Sequence, residues 1–172
     1  ILAAHPVNEK RRAAGQRPAT DIWLWGQGRR PSVPTLFERF GISGGVITAV
    51  DVVAGLGRMA GLERIEVPGI TGFIDTNWVG KGQYALDSLE THDLVFVHVE
   101  ATDESGHMGD AGLKVDSIEK LDEKVIGTIL KGMDRYESWR IMVLPDHATP
   151  VALKTHTADP VPFVIMDSKD RG

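Results

Sequence analysis

Five side chains of metal-ligating type fall in three short stretches: Asp103 and His107 in TDESGH, the adjacent Asp146 and His147 in LPDHATP, and His156 in KTHT. Asp103 and His107 stand at i, i+4 spacing, so a single helical turn through residues 104–106 brings them to one face. A carboxylate oxygen and an imidazole nitrogen converging on one point form the first half of a transition-metal site. The chain has no cysteine, which excludes thiolate ligation and disulfides and leaves imidazole, carboxylate and backbone oxygen to hold any metal. Taken singly, each residue also has a structural explanation, because aspartate caps helices and turns and histidine often sits at a core margin. On spacing alone the two readings stay level.

These residues need strands that end beside one another. Leu94–Val99 is a short apolar, β-branched run, which fits a strand buried on both faces of a parallel sheet. Asp103 and His107 lie just past its carboxyl end, where open α/β sheets bind their ligands. Trp139–Leu144 is a second such run and leads directly into Pro145, Asp146 and His147, so the two strands are expected to be neighbours. Further strands are expected over Asp21–Gln27, Gly44–Val50, Arg64–Val67 and Phe163–Met166. Helices are expected over Pro34–Phe40, over Asp51–Gly61 with Asp51 as its cap, over Trp78–Leu89, and over Asp110–Tyr136, where Leu113, Ile118, Leu121, Val125, Ile129 and Met133 follow a helical period. Alternating strands and helices predict an α/β fold, a three-layer α/β/α arrangement around a mainly parallel sheet.

Three basic residues could meet a phosphate. Arg29 and Arg30 follow the Gly26-Gln27-Gly28 turn, and a guanidinium grips phosphate bidentately. Lys81 stands in the first turn of the Trp78–Leu89 helix, beside the glycine-punctuated loop at 69–77. Each is also the kind of residue that ordinarily faces solvent.

With 172 residues the chain can bury a sizeable core, and its composition is ordinary for a globular protein. A net charge of −5 and scattered basic residues argue against nucleic acid as a partner. No stretch is long and apolar enough to span a membrane, and ILAAHPVNEKRR lacks the order of a signal peptide, so a cytoplasmic chain is expected. Because it begins at Ile1 and its first residues are polar and turn-rich, residues 1–20 are expected to be a connection from missing upstream sequence, and residues 21–172 a partial domain.

The wording of the segments adds to their spacing. WLWGQG at 23–28, VEATDESGH at 99–107, LPDHATP at 144–150 and THTADPVPF at 155–163, in this order, resemble the cofactor-independent phosphoglycerate mutases, most closely the archaeal-type branch, within the alkaline phosphatase superfamily. The resemblance covers nearly the whole chain. It implies an alkaline-phosphatase-like domain with two divalent ions, manganese, magnesium or zinc, flanking a serine or threonine that is phosphorylated in turnover, and no need for 2,3-bisphosphoglycerate. It implies that Asp103, His107 and His156 hold one ion, that Asp146 and His147 supply part of the second site, and that the substrate is a small phosphorylated molecule, with Arg29, Arg30 and Lys81 as candidate contacts. The activity implied is interconversion of 2-phosphoglycerate and 3-phosphoglycerate in glycolysis. His98 and Glu100 match no ligand of the family and are read as structural. Thr71, Thr76, Ser105 and Thr149 do not stand in the family's nucleophile context, so the nucleophile is expected outside this chain and the chain alone is expected not to turn over. The alternatives are another metal-dependent phosphatase or phosphotransferase of the superfamily, and a noncatalytic domain.

Overall fold

The structure, a computed structural model, describes residues 2–29 and 31–169. It divides into two compact units, residues 1–32 and residues 33–172.

Among its described residues the first unit holds one helix, α1 (Pro6–Ala13), with proline in its first turn, where the missing N–H has no partner to lose, and His5 at its N-cap. Asn8 is buried and organises the unit: its amide donates to the carbonyls of Leu2 at 2.6 Å and Ala19 at 2.8 Å, and its Oδ1 accepts from the Ala19 N–H at 2.8 Å. The stretch expected to be a connection is thus tied by one buried amide, which leaves no apolar pattern in the sequence. The strand expected over Asp21–Gln27 is not present. Residues 21–29 have no regular structure, and Trp23 and Trp25 are 85% and 84% exposed. An extended segment becomes a stable strand by pairing, and no described segment pairs with this one.

The second unit is built on β1 (Gly44–Ile47), the centre of a parallel sheet with β2 (Glu63–Arg64) on one side and β3 (Leu94–Val97) on the other. Helices cover both faces of β1. Val46 lies against Gly57 of α3 (Asp51–Met59), where a Cβ would come within 2.7 Å of a Val46 methyl, and Ile47 packs with Ala85 of α4 (Trp78–Ser88). A short helix, α2 (Leu36–Phe40), precedes the sheet and carries a complete capping box between Thr35 and Glu38. The fold is α/β with a parallel sheet, as expected. Asp51 is not the cap of α3: Val50 holds that position without a side-chain hydrogen bond, and exposed Asp51 lies 3.8 Å from Arg64 instead.

Two strand expectations need correction. β3 is buried on one face only, with Val95 and Val97 on the core and Leu94 and Phe96 at 39% and 49% exposure, because among the described residues no helix covers its second face. β4 (Arg140–Val143) does not pair with β3. It pairs antiparallel with β5 (Val164–Asp167), Ile141 opposite Met166, in a separate two-stranded sheet.

Between the sheets runs the long helical stretch, in pieces: α5 (Ala101–Met108), α6 (Ala111–Lys120) capped by Asp110, a π-helical turn (Leu121–Ile126), α7 (Gly127–Gly132) and a 3-10 turn (Met133–Arg135). Val125 of the widened turn packs with Trp78 and Ala101, and Met133 of the 3-10 turn with Leu86 and Trp139. Ile129 touches all three apolar clusters of the unit. At Gly82 the helices approach so closely that a Cβ would meet the Val125 carbonyl at 2.9 Å, which makes glycine the residue that fits there.

Lys81 is buried in this core, 1% exposed, with its ammonium donating to the His98 carbonyl at 3.2 Å. It is therefore not the solvent-facing lysine expected from the sequence. Loss of hydration lowers its pKa from 10.5 to about 8, and the Glu100 charge opposes the drop. Between those two values the folded chain has released a proton that the unfolded chain still holds, so stability rises with pH across that window, and the cost is fully present at neutral pH. Lys81→Met is expected to abolish that rise and to raise the unfolding free energy at neutral pH by about 1 kcal/mol or more. Urea unfolding on either side of the window measures both effects; a variant with the parent's pH slope contradicts this account.

Candidate metal centre

Local structure brings three of the five ligand-type residues to one point. β3 delivers the chain to α5, whose start is fixed by Ala101, 1% exposed, and by Ser105, fully buried, with its hydroxyl donating to the Ala101 carbonyl at 2.7 Å and lying 3.1 Å from the Ser117 hydroxyl of α6. Asp103 and His107 then share a face of α5, with Oδ2 and Nε2 3.2 Å apart. Gly109, at φ 73°, ends the helix in the left-handed conformation that glycine adopts without strain. From the other side, the segments after β4 are clasped by a bridge in which the Thr157 N–H donates to the Ala148 carbonyl at 3.0 Å. That clasp sets His147 and His156 side by side, ring centroids 3.8 Å apart.

The resulting distances fit a cation. His156 Nε2 lies 3.4 Å from Asp103 Oδ1 and 3.1 Å from His107 Nε2. Ligand atoms about 2.1 Å from a tetrahedral ion stand about 3.4 Å from one another, close to this spacing. His107 Nδ1 is 3.0 Å from the Lys154 carbonyl, which can only accept, so in the neutral ring the proton sits on Nδ1 and the Nε2 lone pair faces the cluster. The donor set of one carboxylate and two imidazoles is of the kind zinc or manganese takes.

The second candidate pair lies alongside. His147 Nδ1 is 4.0 Å from Asp103 Oδ1, and ligand atoms of Asp103, His147 and His156 all lie within 4.8 Å of one another. Asp146 is exposed; its Oδ2 is 3.5 Å from His147 Nε2 and its Oδ1 accepts from the His147 backbone N–H at 2.9 Å. Glu100, Asp103 and Glu104 form an acidic group at the N-terminal turn of α5, where negative charge complements the helix dipole.

His98, read as structural from the sequence, sits at the margin of this site. Its Nδ1 is 3.1 Å from the hydroxyl of buried Thr48, which also accepts from the Val50 N–H, and its Nε2 is 3.6 Å from Glu100. Burial pushes the His98 pKa down, against the pull of Glu100, Asp146 and Asp103 and with the help of Lys81. Arg29 is exposed in the first unit, and Arg30 lies outside the described residues. Sequence reasoning weighed Thr149 only as a nucleophile and set it aside. It is 3% exposed, and its hydroxyl donates to Asp103 Oδ1 and lies 3.3 Å from His147 Nδ1. The available signal was a hydroxyl residue two positions after the Asp-His pair.

A curated 2,3-bisphosphoglycerate-independent phosphoglycerate mutase of Methanothermobacter thermautotrophicus is 53% identical over 96% of the chain, which spans 41% of that protein. A probable 2,3-bisphosphoglycerate-independent phosphoglycerate mutase of Geobacter sulfurreducens is 49% identical over 98% of the chain, again matching 42% of the relative. The chain thus spans about two fifths of the length of the curated relatives it matches. Among solved structures, a Pyrococcus horikoshii protein superposes with a TM-score of 0.83 at 32% identity, over 95% of the chain and 43% of its own. The cofactor-independent phosphoglycerate mutase of Thermoplasma acidophilum superposes with a TM-score of 0.60 at 28% identity, over 96% of the chain and 38% of its own. With a profile of the Metalloenzyme superfamily matching residues 3–172, over a fold that gathers carboxylate and imidazole at its strand ends, the chain belongs to that superfamily.

Proposed function

We propose that the protein to which this chain contributes interconverts 2-phosphoglycerate and 3-phosphoglycerate, by phosphoryl transfer through a serine or threonine that lies outside residues 1–172. The observation that carries the reading is the convergence of His107 Nε2 and His156 Nε2, 3.1 Å apart, on the Asp103 carboxylate, whose Oδ2 is 3.2 Å from the first and Oδ1 3.4 Å from the second, in a chain whose relatives are named as mutases of this kind. Asp103, His107 and His156 would hold one divalent ion, and Asp146 with His147 would supply part of a second site. Manganese, magnesium and zinc are the candidate ions, and no 2,3-bisphosphoglycerate is required. Bound divalent ions lower the pKa of a hydroxyl nucleophile and offset the charge that builds on a transferring phosphoryl group.

The chain's own residues supply the setting for that chemistry. The Asp103 carboxylate contributes negative charge to a cluster otherwise made of imidazoles, and the Lys154 carbonyl holds the His107 proton on the side away from it. Arg29 and Arg30 remain candidate contacts for the substrate's phosphate or carboxylate, because a planar guanidinium matches both. Lys81 is dropped from that role, since its ammonium is buried on the His98 carbonyl. A cytoplasmic location goes with the glycolytic reaction proposed.

Two measurements test the reading. Calorimetric titration of the chain with manganese or zinc is expected to show about one ion bound, with affinity more than about 100-fold weaker in an Asp103→Ala, His156→Ala double variant. Equal affinity in the double variant removes the proposed ligands. Separately, a protein of the relatives' full length, supplied with manganese and 3-phosphoglycerate, is expected to form 2-phosphoglycerate. Release of inorganic phosphate without isomerisation would instead identify a phosphatase of the same superfamily.

A further inference from the structure

We infer that Thr149 is a positioning residue that links the two candidate ion sites: one hydroxyl orients the carboxylate of Asp103 and sets the tautomer of His147. This rests on the metal-binding reading above and goes beyond it, since Thr149 is not one of the proposed ligands.

The argument starts from the single proton of a hydroxyl. Asp103 Oδ1 is a carboxylate oxygen and accepts, so the Thr149 hydroxyl donates to it. What remains on that oxygen is acceptor capacity, and the neighbour in reach is His147 Nδ1 at 3.3 Å. Asp146 Oδ2, the competing acceptor on the Nε2 side, is exposed and 3.5 Å away, so the closer, buried hydroxyl holds the proton of the neutral His147 ring on Nδ1. Nδ1–H···Oγ1–H···Oδ1 is then one directed chain from a residue of the second candidate site to a residue of the first. Ligating imidazoles ordinarily donate their other N–H to such a partner, which fixes both ring orientation and tautomer.

Thr149 is itself held firmly. It is 3% exposed, and its carbonyl accepts from Lys114 Nζ of α6 at 2.6 Å. α5 lies so close that a Cβ on Gly106 would come within 2.5 Å of that same carbonyl oxygen. A side chain at 106 would push Thr149 away from Asp103, so the glycine and the lysine together fix where the hydroxyl stands.

The test compares Thr149→Val, which keeps the shape and removes the hydroxyl, with Thr149→Ser, which keeps the hydroxyl and removes the methyl. Manganese affinity by calorimetry is expected to fall about 10–100-fold in the valine variant and to stay within about threefold of the parent in the serine variant, while circular dichroism shows both folded. Unchanged affinity in the valine variant, or an equal loss in both, overturns the inference. A second readout needs no metal. Long-range proton–nitrogen NMR near pH 9, well above the ordinary imidazole pKa of about 6.5, reports which nitrogen of His147 is protonated. An Nδ1–H tautomer is expected in the parent and in Thr149→Ser and is expected to be lost in Thr149→Val; the same tautomer in all three overturns the inference. A parent chain that takes up no manganese but shows this tautomer pattern would refute the metal-binding reading and leave the role of Thr149 supported.

Discussion

Holding two imidazole Nε2 atoms 3.1 Å apart against a single carboxylate is the constraint to which much of the second unit answers. Lone pairs aimed at one point repel unless a proton or a cation lies between them, so such a cluster does not form by default. It has to be imposed by elements that are stable for other reasons. The i, i+4 face of α5 supplies two of the groups, and the Ala148–Thr157 bridge supplies the third by folding the 147–157 segment back toward that face. The Lys154 carbonyl sits at the one non-glycine position with positive φ among the described residues, 54°, and that bend is what points it at His107.

Beneath the cluster the core is polar to an unusual degree for its burial. Lys81, Thr48, Ser105 and Ser117 are all at 1% exposure or less, and each has a hydrogen-bond partner. An apolar filling would avoid the desolvation that such groups suffer, and the lowered pKa of Lys81 is a direct expression of it. The compensation is positional. Ser105 and Ser117 lock α5 to α6, while Lys81 ties the end of β3 to α4, so the segment that carries Asp103 is anchored at its root by directed bonds rather than by packing alone.

Much of this was legible in the sequence, for physical reasons that differ by element. The centres of β1, β3, α4 and the α6–α7 stretch followed from apolar periodicity, because each of them buries a face. Asp103, His107 and His156 were set apart as a group by the resemblance of their segments to a known family, because spacing alone left a structural reading level with a metal-binding one. What escaped was set by partners that no local pattern reveals. The Asp21–Gln27 run has strand composition but no strand to pair with. β3 and β4 both read as buried and adjacent, yet each belongs to a different sheet and exposes one face. Asn8 and Lys81 look like ordinary surface residues until the backbone carbonyls that receive them are in place, and Thr149 becomes part of the site only once the chain reversal sets it against α5.

The measurement that bears most directly on this account is anomalous diffraction from crystals of the chain soaked in manganese or zinc. The account predicts a peak within about 2.0–2.3 Å of Nε2 of His107, Nε2 of His156 and an oxygen of Asp103, with Nδ1 of His107 still on the Lys154 carbonyl. A strong peak confined to the Glu100–Glu104 carboxylates, or an ordered crystal with no peak near the two imidazoles at saturating metal, would contradict it.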